Sequence, residues 1–229
     1  MKSILVRYTF RLGDGSTEVF DLELNPETLE PVEPVGHDLP DWTRLGFQQC
    51  PNCPLNEDTH PRCPLAARLS DVVGRFDRLV SHDQLVVEVI TRERAVAQRT
   101  TAQKGIASLM GLIIATSGCP NTAWFKPMAR FHLPFSSEEE TVFRAASTFL
   151  LSEHIRRVDG DAVDGSFAGL QEIYETMHIV NNAVAKRLRA ATSSDAAVNA
   201  LVLLDTNSMN LSQVIEQSVD SLRRYFNTD

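Results

Sequence analysis

Every cysteine in this chain is followed by proline. Three fall in QCPNCPLNEDTHPRCPL (residues 49–65), at Cys50, Cys53 and Cys63, and the fourth, Cys119, lies in TSGCPN. Proline locks its own φ and pushes the residue before it out of helical geometry. Each cysteine is therefore expected at the edge of a helix or turn. Pro64 suits the first turn of a helix over about 65–80, where its missing N–H costs nothing. A buried helix ends at TSGCP, with Gly118 as its cap and Pro120 forbidding continuation.

The elements on either side follow from hydrophobic period. Ile4, Val6, Tyr8 and Phe10 alternate on one strand face, and Phe20, Leu22 and Leu24 repeat the pattern after Asp14-Gly15. The spacing predicts a β-hairpin over residues 3–24 whose turn uses the positive φ angles of Asp-Gly. Prolines at 26, 31, 34 and 40 exclude a long regular element in the next segment. QLVVEVIT (84–91) reads as a third strand by its β-branched content, and residues 93–116 as one long helix. After an aromatic loop over 121–137, Ser137 and Glu140 form a capping box that starts a helix to about Arg157. Leu170, Ile173, Met177, Val184 and Leu188 mark an amphipathic helix. A shorter helix over SDAAVNALVLLD and a last one through Leu211, Val214, Ile215 and Leu222 follow. The fold class is α+β: a small antiparallel sheet, hairpin plus third strand, with a mainly helical C-terminal half. Residues 1–135 would carry the hairpin, cysteine loop and buried helix, and residues 136–229 a helical region packed on them as one globular unit.

Composition narrows the function. The 229 residues carry a net charge of −8, with short basic clusters at Arg92–Arg94, Arg156–Arg157 and Lys186–Arg189. Scattered in this way they read as solvated helix faces, which argues against a nucleic-acid partner. The most apolar stretch, GIASLMGLIIATSG (105–118), is too short to span a bilayer, and the N-terminus lacks the apolar middle of a signal peptide. The expected setting is the cytoplasm, with no membrane and with the helical half available to a protein partner.

In that setting thiols stay reduced, so clustered cysteines point to metal or redox chemistry. Cys50 and Cys53 have chelating C-x-x-C spacing, Cys63 returns nine residues later, and Cys119 ends a helix that can deliver a fourth thiolate. The helix starting near Leu65 would stabilise the resulting negative charge. One C-x-x-C with two isolated cysteines resembles iron–sulfur ligation, and a [4Fe–4S] cluster is the favoured cofactor. Zinc is the alternative, with His60 able to replace Cys119 in the ligand set. A thioredoxin-like CPNC dithiol fits less well, since no strand precedes it and Pro54 follows it.

Other residues carry weaker signals. Lys126, Arg130 and His132 crowd the FKPMARFHLPF loop, as a candidate anion pocket or as charges at the rim of a structural plug. His82-Asp83 suits a turn more than an acid–base pair. VDGDAVDG fails as a calcium loop, having Asp164 where glycine is needed and Leu170 where glutamate is. ETMH (175–178) supplies one Glu-x-x-His of a di-iron site, and His154 no second.

Together DGS, CPNCPL, CPLA, TSGCP, KPMARFHLPF and NALVLLD resemble an uncharacterised bacterial protein family of unknown function, over nearly the whole chain. The resemblance implies that the four cysteines and the ARFHLPF loop form one constellation, and it implies no activity. The expectation is a metal-binding protein acting as a non-enzymatic sensor or adaptor. The alternative is a redox enzyme whose cluster serves a substrate near Arg130 and His132.

Overall fold

Strands β1 (Ile4–Arg11) and β2 (Thr17–Leu24) pair antiparallel, with Tyr8 opposite Phe20. Their connection is a five-residue loop: Leu12 N–H donates to Ser16 O at 2.9 Å and Gly15 N–H to Leu12 O at 3.1 Å. Of the Asp14-Gly15 pair only the glycine takes a positive φ, +85°. Asp14 acts through its carboxylate instead, accepting from the backbone and hydroxyl of Ser16. The computed structural model describes residues 2–163 and 165–226, without the side chains of 210–214 and 216. Asp164 and the side chains of Leu211 and Val214 therefore lie outside the described residues.

Strand β3 (Gln84–Ile90) pairs with β1, and β4 (Ala95–Thr101) with β3, giving an antiparallel sheet in the order β2-β1-β3-β4. The helix expected from residue 93 thus begins only at residue 102. Thr91 and Arg94 close a tight turn, with Thr91 Oγ1 accepting from the N–H groups of Glu93 and Arg94, and this folds the chain back as a strand. One sheet face is apolar and covered, with Val6, Tyr8, Phe10, Phe20, Leu85, Val87 and Val89 buried. The other is solvated and carries the Arg7–Asp21 fork, both contacts 2.7 Å.

Six α-helices are present among the described residues: α1 (Pro64–Phe76), α2 (Ala102–Thr116), α3 (Lys126–Arg130), α4 (Glu138–Val158), α5 (Ala168–Ala191) and α6 (Ala196–Ser221). The molecule is α+β. Cys63 is the N-cap residue of α1 and Pro64 its first residue. Helix α2 lies against the sheet at Gly105, where an added Cβ would stand 2.8 Å from Val87 Cγ2. Phe76 of α1 closes the same layer, 4.8 Å from the Phe10 ring and 5.4 Å from Phe20. Gly118, at φ +84°, ends α2 as expected. Ser137 and Glu140 make both bonds of the capping box. The two short helices expected after residue 194 are one, α6, because no proline or glycine interrupts residues 196–221.

The larger apolar cluster draws on the sheet, α1, α2, α5 and α6, and so on residues from both halves of the sequence. A smaller one joins Val142, Ala145 and Phe149 of α4 to Leu170, Tyr174 and Ile215. The outward face of α4 is also apolar, exposing Phe143, Leu150, Leu151, Ile155 and Val158. No single helix among the described residues is long and apolar enough to cross a membrane. The one pair that passes together by composition, α2 with residues 120–130, is bent by 114°.

Candidate functional site

All four cysteines are free, Cys63 and Cys119 buried and Cys50 and Cys53 half-buried. Asn121 Nδ2 donates to Asn52 O at 3.2 Å, tying the segment after Cys119 to the one between Cys50 and Cys53. Burial pushes the Cys50 thiol up to about 11, helped by Cys63, Cys119 and Cys53, and burial likewise pushes Cys119 up to about 11. The thiols feel one another. Even so, among the described residues no group of three or more His, Cys, Asp or Glu side chains is arranged to hold a metal ion.

That finding overturns the expected metal centre. An iron–sulfur cluster or zinc on Cys50, Cys53, Cys63 and Cys119 is not supported, and neither is His60 as a substitute ligand. The metal-centred sensor and the cluster-based redox enzyme fall with it. The surroundings give the physical reason. Burial disfavours the charged form of the Cys50 and Cys119 thiols. The positive charge beside Cys63, Cys50 and Cys53 is already supplied by Arg187. His60 is exposed, with its Nδ1 2.9 Å from the Thr59 hydroxyl.

Arg187 corrects a second expectation. It belongs to the 186–189 cluster read as a solvated face, yet it is 1% exposed. Its Nη1 donates to the carbonyls of Trp42 (2.8 Å) and Arg44 (2.7 Å), and its Nη2 to that of Leu45 (2.8 Å). The cysteine loop is therefore clamped at its entry by a charge from α5.

The candidate site lies elsewhere. A cavity of about 510 Å³ opens between α2, the 125–137 segment and helices α4, α5 and α6. Its lining is mainly apolar, including Leu112, Ile114, Phe125, Met128, Met177 and Leu204. Ser108 and His132 stand in its wall, joined through Tyr8 of β1. The Tyr8 hydroxyl is 2.8 Å from Ser108 Oγ and 2.5 Å from His132 Nε2. Phe135 N–H donates to Ser108 Oγ at 3.3 Å. Burial, with the Arg144 cation nearby, pushes His132 down to about 4. Burial drives Tyr8 the other way, well above the usual phenol range. Both groups are neutral at pH 7, so Ser108, Tyr8 and His132 form one uncharged hydrogen-bonded chain, with the proton between Tyr8 and Nε2 supplied by whichever of the two the imidazole tautomer leaves as donor. Arg144 shapes this wall by donating to Met128 O (2.7 Å) and Phe131 O (3.3 Å).

The expected loop residues part company here. His132 lines the cavity, while Lys126 bonds Glu30 at 2.8 Å and Arg130 lies 3.9 Å from Glu93. Asp83 caps its turn, accepting from Val80 N–H at 3.0 Å. His178 Nδ1 is 2.9 Å from Asp205 and its Nε2 2.9 Å from Asn182. A wider depression of about 720 Å³ between β2, residues 31–40 and α1 has a more polar lining and no orphaned buried polar side chain.

The family model described as a domain of unknown function (DUF6901) matches residues 6–227. The chain belongs to that family. No curated protein and no solved structure matches it. The match spans both features of this DUF6901 fold, the clamped cysteine loop and the cavity. Tyr8, Ser108, Arg144 and Asn181 were missed as site residues by sequence reasoning. Two of them had a signal. Ser108 is a polar residue inside the most apolar helix, and Asn181 falls on the stripe Leu170, Met177, Val184, Leu188, where a core residue is due.

Proposed function

We propose that this protein binds a small, largely apolar organic molecule in the cavity between α2 and helices α4–α6. One observation carries the reading: an open cavity of about 510 Å³ whose surface is mainly apolar, with polar groups along its wall. Ligand sites occupy about 300–1,000 Å³ and combine an apolar lining with sparse polar contacts. The state of those groups favours binding over turnover. A base serves well when its pKa lies near the working pH, and His132, held down to about 4, remains neutral and weakly basic. The Ser108–Tyr8–His132 chain offers fixed dipoles, which orient a ligand. A cytoplasmic setting is supported by the four unpaired cysteines.

The test uses naphthalene as a probe that fits the chamber by size and polarity. Wild-type protein is expected to bind it in equilibrium dialysis and to unfold at a higher temperature when it is present, by mass action. Gly111→Met, which adds a side chain at the cavity wall 3.7 Å from Leu204 Cδ2, is expected to abolish both effects, and Ala115→Leu serves as a second blocking variant. No binding to the wild type, or undiminished binding by both variants, overturns the proposal.

A further inference from the structure

Asn181 is 1% exposed and lines the cavity from α5, and neither its Nδ2 nor its Oδ1 has a hydrogen-bond partner. Two other buried or half-buried polar groups at this wall are engaged: Ser208 Oγ donates to Leu204 O at 2.9 Å, and Ser108 is held by Tyr8 and Phe135. A carboxamide offers two N–H donors and an oxygen with two lone pairs. Burying it unpaired is costly, and native interiors rarely tolerate it. On α5 it replaces the apolar residue that the stripe from Leu170 to Leu188 calls for, so packing alone does not account for it.

Resting on the ligand-binding reading above, we infer that the occupant presents an amide-type edge, one C=O beside one N–H, to the side chain of Asn181. The chemistry follows by elimination. A carboxylate or ketone meets only Nδ2 and leaves Oδ1 orphaned. An ammonium meets only Oδ1. A single hydroxyl oxygen cannot align with both atoms of the fork. A lactam or cis-amide edge meets both at once in a cyclic pair, and its remaining apolar body fills the chamber. The same edge occurs on nucleobases and on aliphatic lactams.

Three bicyclic probes of nearly equal shape test this by equilibrium dialysis: 2-quinolone carries the lactam edge, coumarin replaces its N–H by oxygen, and naphthalene has no polar edge. Wild-type protein is expected to prefer 2-quinolone to coumarin by about 10- to 100-fold, the worth of a matched pair against an orphaned one. Asn181→Leu should lose that preference while binding naphthalene at least as well. Asn181→Asp, which keeps the shape but repels a carbonyl, should also lose it, so the test survives misfolding of either variant. Thymine and ε-caprolactam then separate a nucleobase source from an aliphatic one by which binds tighter. Equal affinity for 2-quinolone and coumarin in the wild type, or a preference that survives in the variants, overturns the inference and leaves the cavity reading standing. Naphthalene binding with no lactam preference is that case. Failure of every probe to bind overturns both.

Discussion

A guanidinium enclosed by protein persists only where its donors are met, because an unpaired buried charge is among the costliest defects a fold can carry. Arg187 satisfies that condition with three backbone carbonyls at 2.7–2.8 Å, although its Nε finds none. Arg187→Met should lower unfolding free energy by roughly 3–5 kcal/mol, since three buried carbonyls lose their charged partner. Arg187→Lys should recover little of this, because one ammonium cannot reproduce the fork. Urea midpoints measure both, and a loss under about 1 kcal/mol for Met would mean that residues 41–63 hold themselves. Charge counting could not find this residue. Lys186, Arg187 and Arg189 look alike as a cluster, and only helical phase separates them, Arg187 lying three residues after Val184 on the buried side.

Element by element, periodic segments were legible and boundary segments were not. The hairpin, β3, α1, α4 and α5 follow from alternation, proline placement and a capping box. AVAQRTT did not declare itself as β4, since alanine, glutamine and arginine favour helix and only β3 beside it supplies the pairing that wins. The approach of α2 to the sheet was equally hidden, because a glycine inside a helix states no partner. Gly105→Ala gains helix propensity but drives its Cβ to 2.8 Å from Val87 Cγ2 and 3.3 Å from both Leu85 and Phe10. Those neighbours are buried and cannot all yield, so the variant should lose about 1–3 kcal/mol despite the better helix former. Thermal unfolding decides the sign, and a stabilised variant would show that α2 has room to lift from the sheet. By contrast Gly111, whose added Cβ meets Leu204 at 3.7 Å, has space.

At the scale of the whole molecule, His132 links acid stability to the cavity wall. Its ordinary value is 6.5 and the folded chain holds it near 4. Between these values the unfolded chain binds a proton that the folded chain refuses, so acid favours unfolding. The contribution is complete above pH 6.5 and is lost as pH falls towards 4, by at most about 3 kcal/mol. His132→Gln keeps a hydrogen-bonding partner for the Tyr8 hydroxyl and does not titrate. Its urea midpoint should therefore fall less than that of the wild type between pH 7 and 4, and parallel profiles would refute the assignment. The metal reading failed at this same scale. Cys-Pro spacing located the thiols and their boundaries, but ligand geometry depends on how separate segments meet, and spacing does not encode it. The cavity has a similar origin, since Tyr8, Ser108, His132 and Asn181 come from four distant stretches of chain.

The clamp on the cysteine loop also sets an order of events during synthesis. Arg187 follows its three acceptors by 142–145 residues. At ribosomal speeds of about 5–20 residues per second, the nascent chain waits roughly 7–30 s between making the loop and making the side chain that fastens it. Throughout that interval the segment leading into Cys50, Cys53 and Cys63 lacks the guanidinium that fastens it in the finished protein.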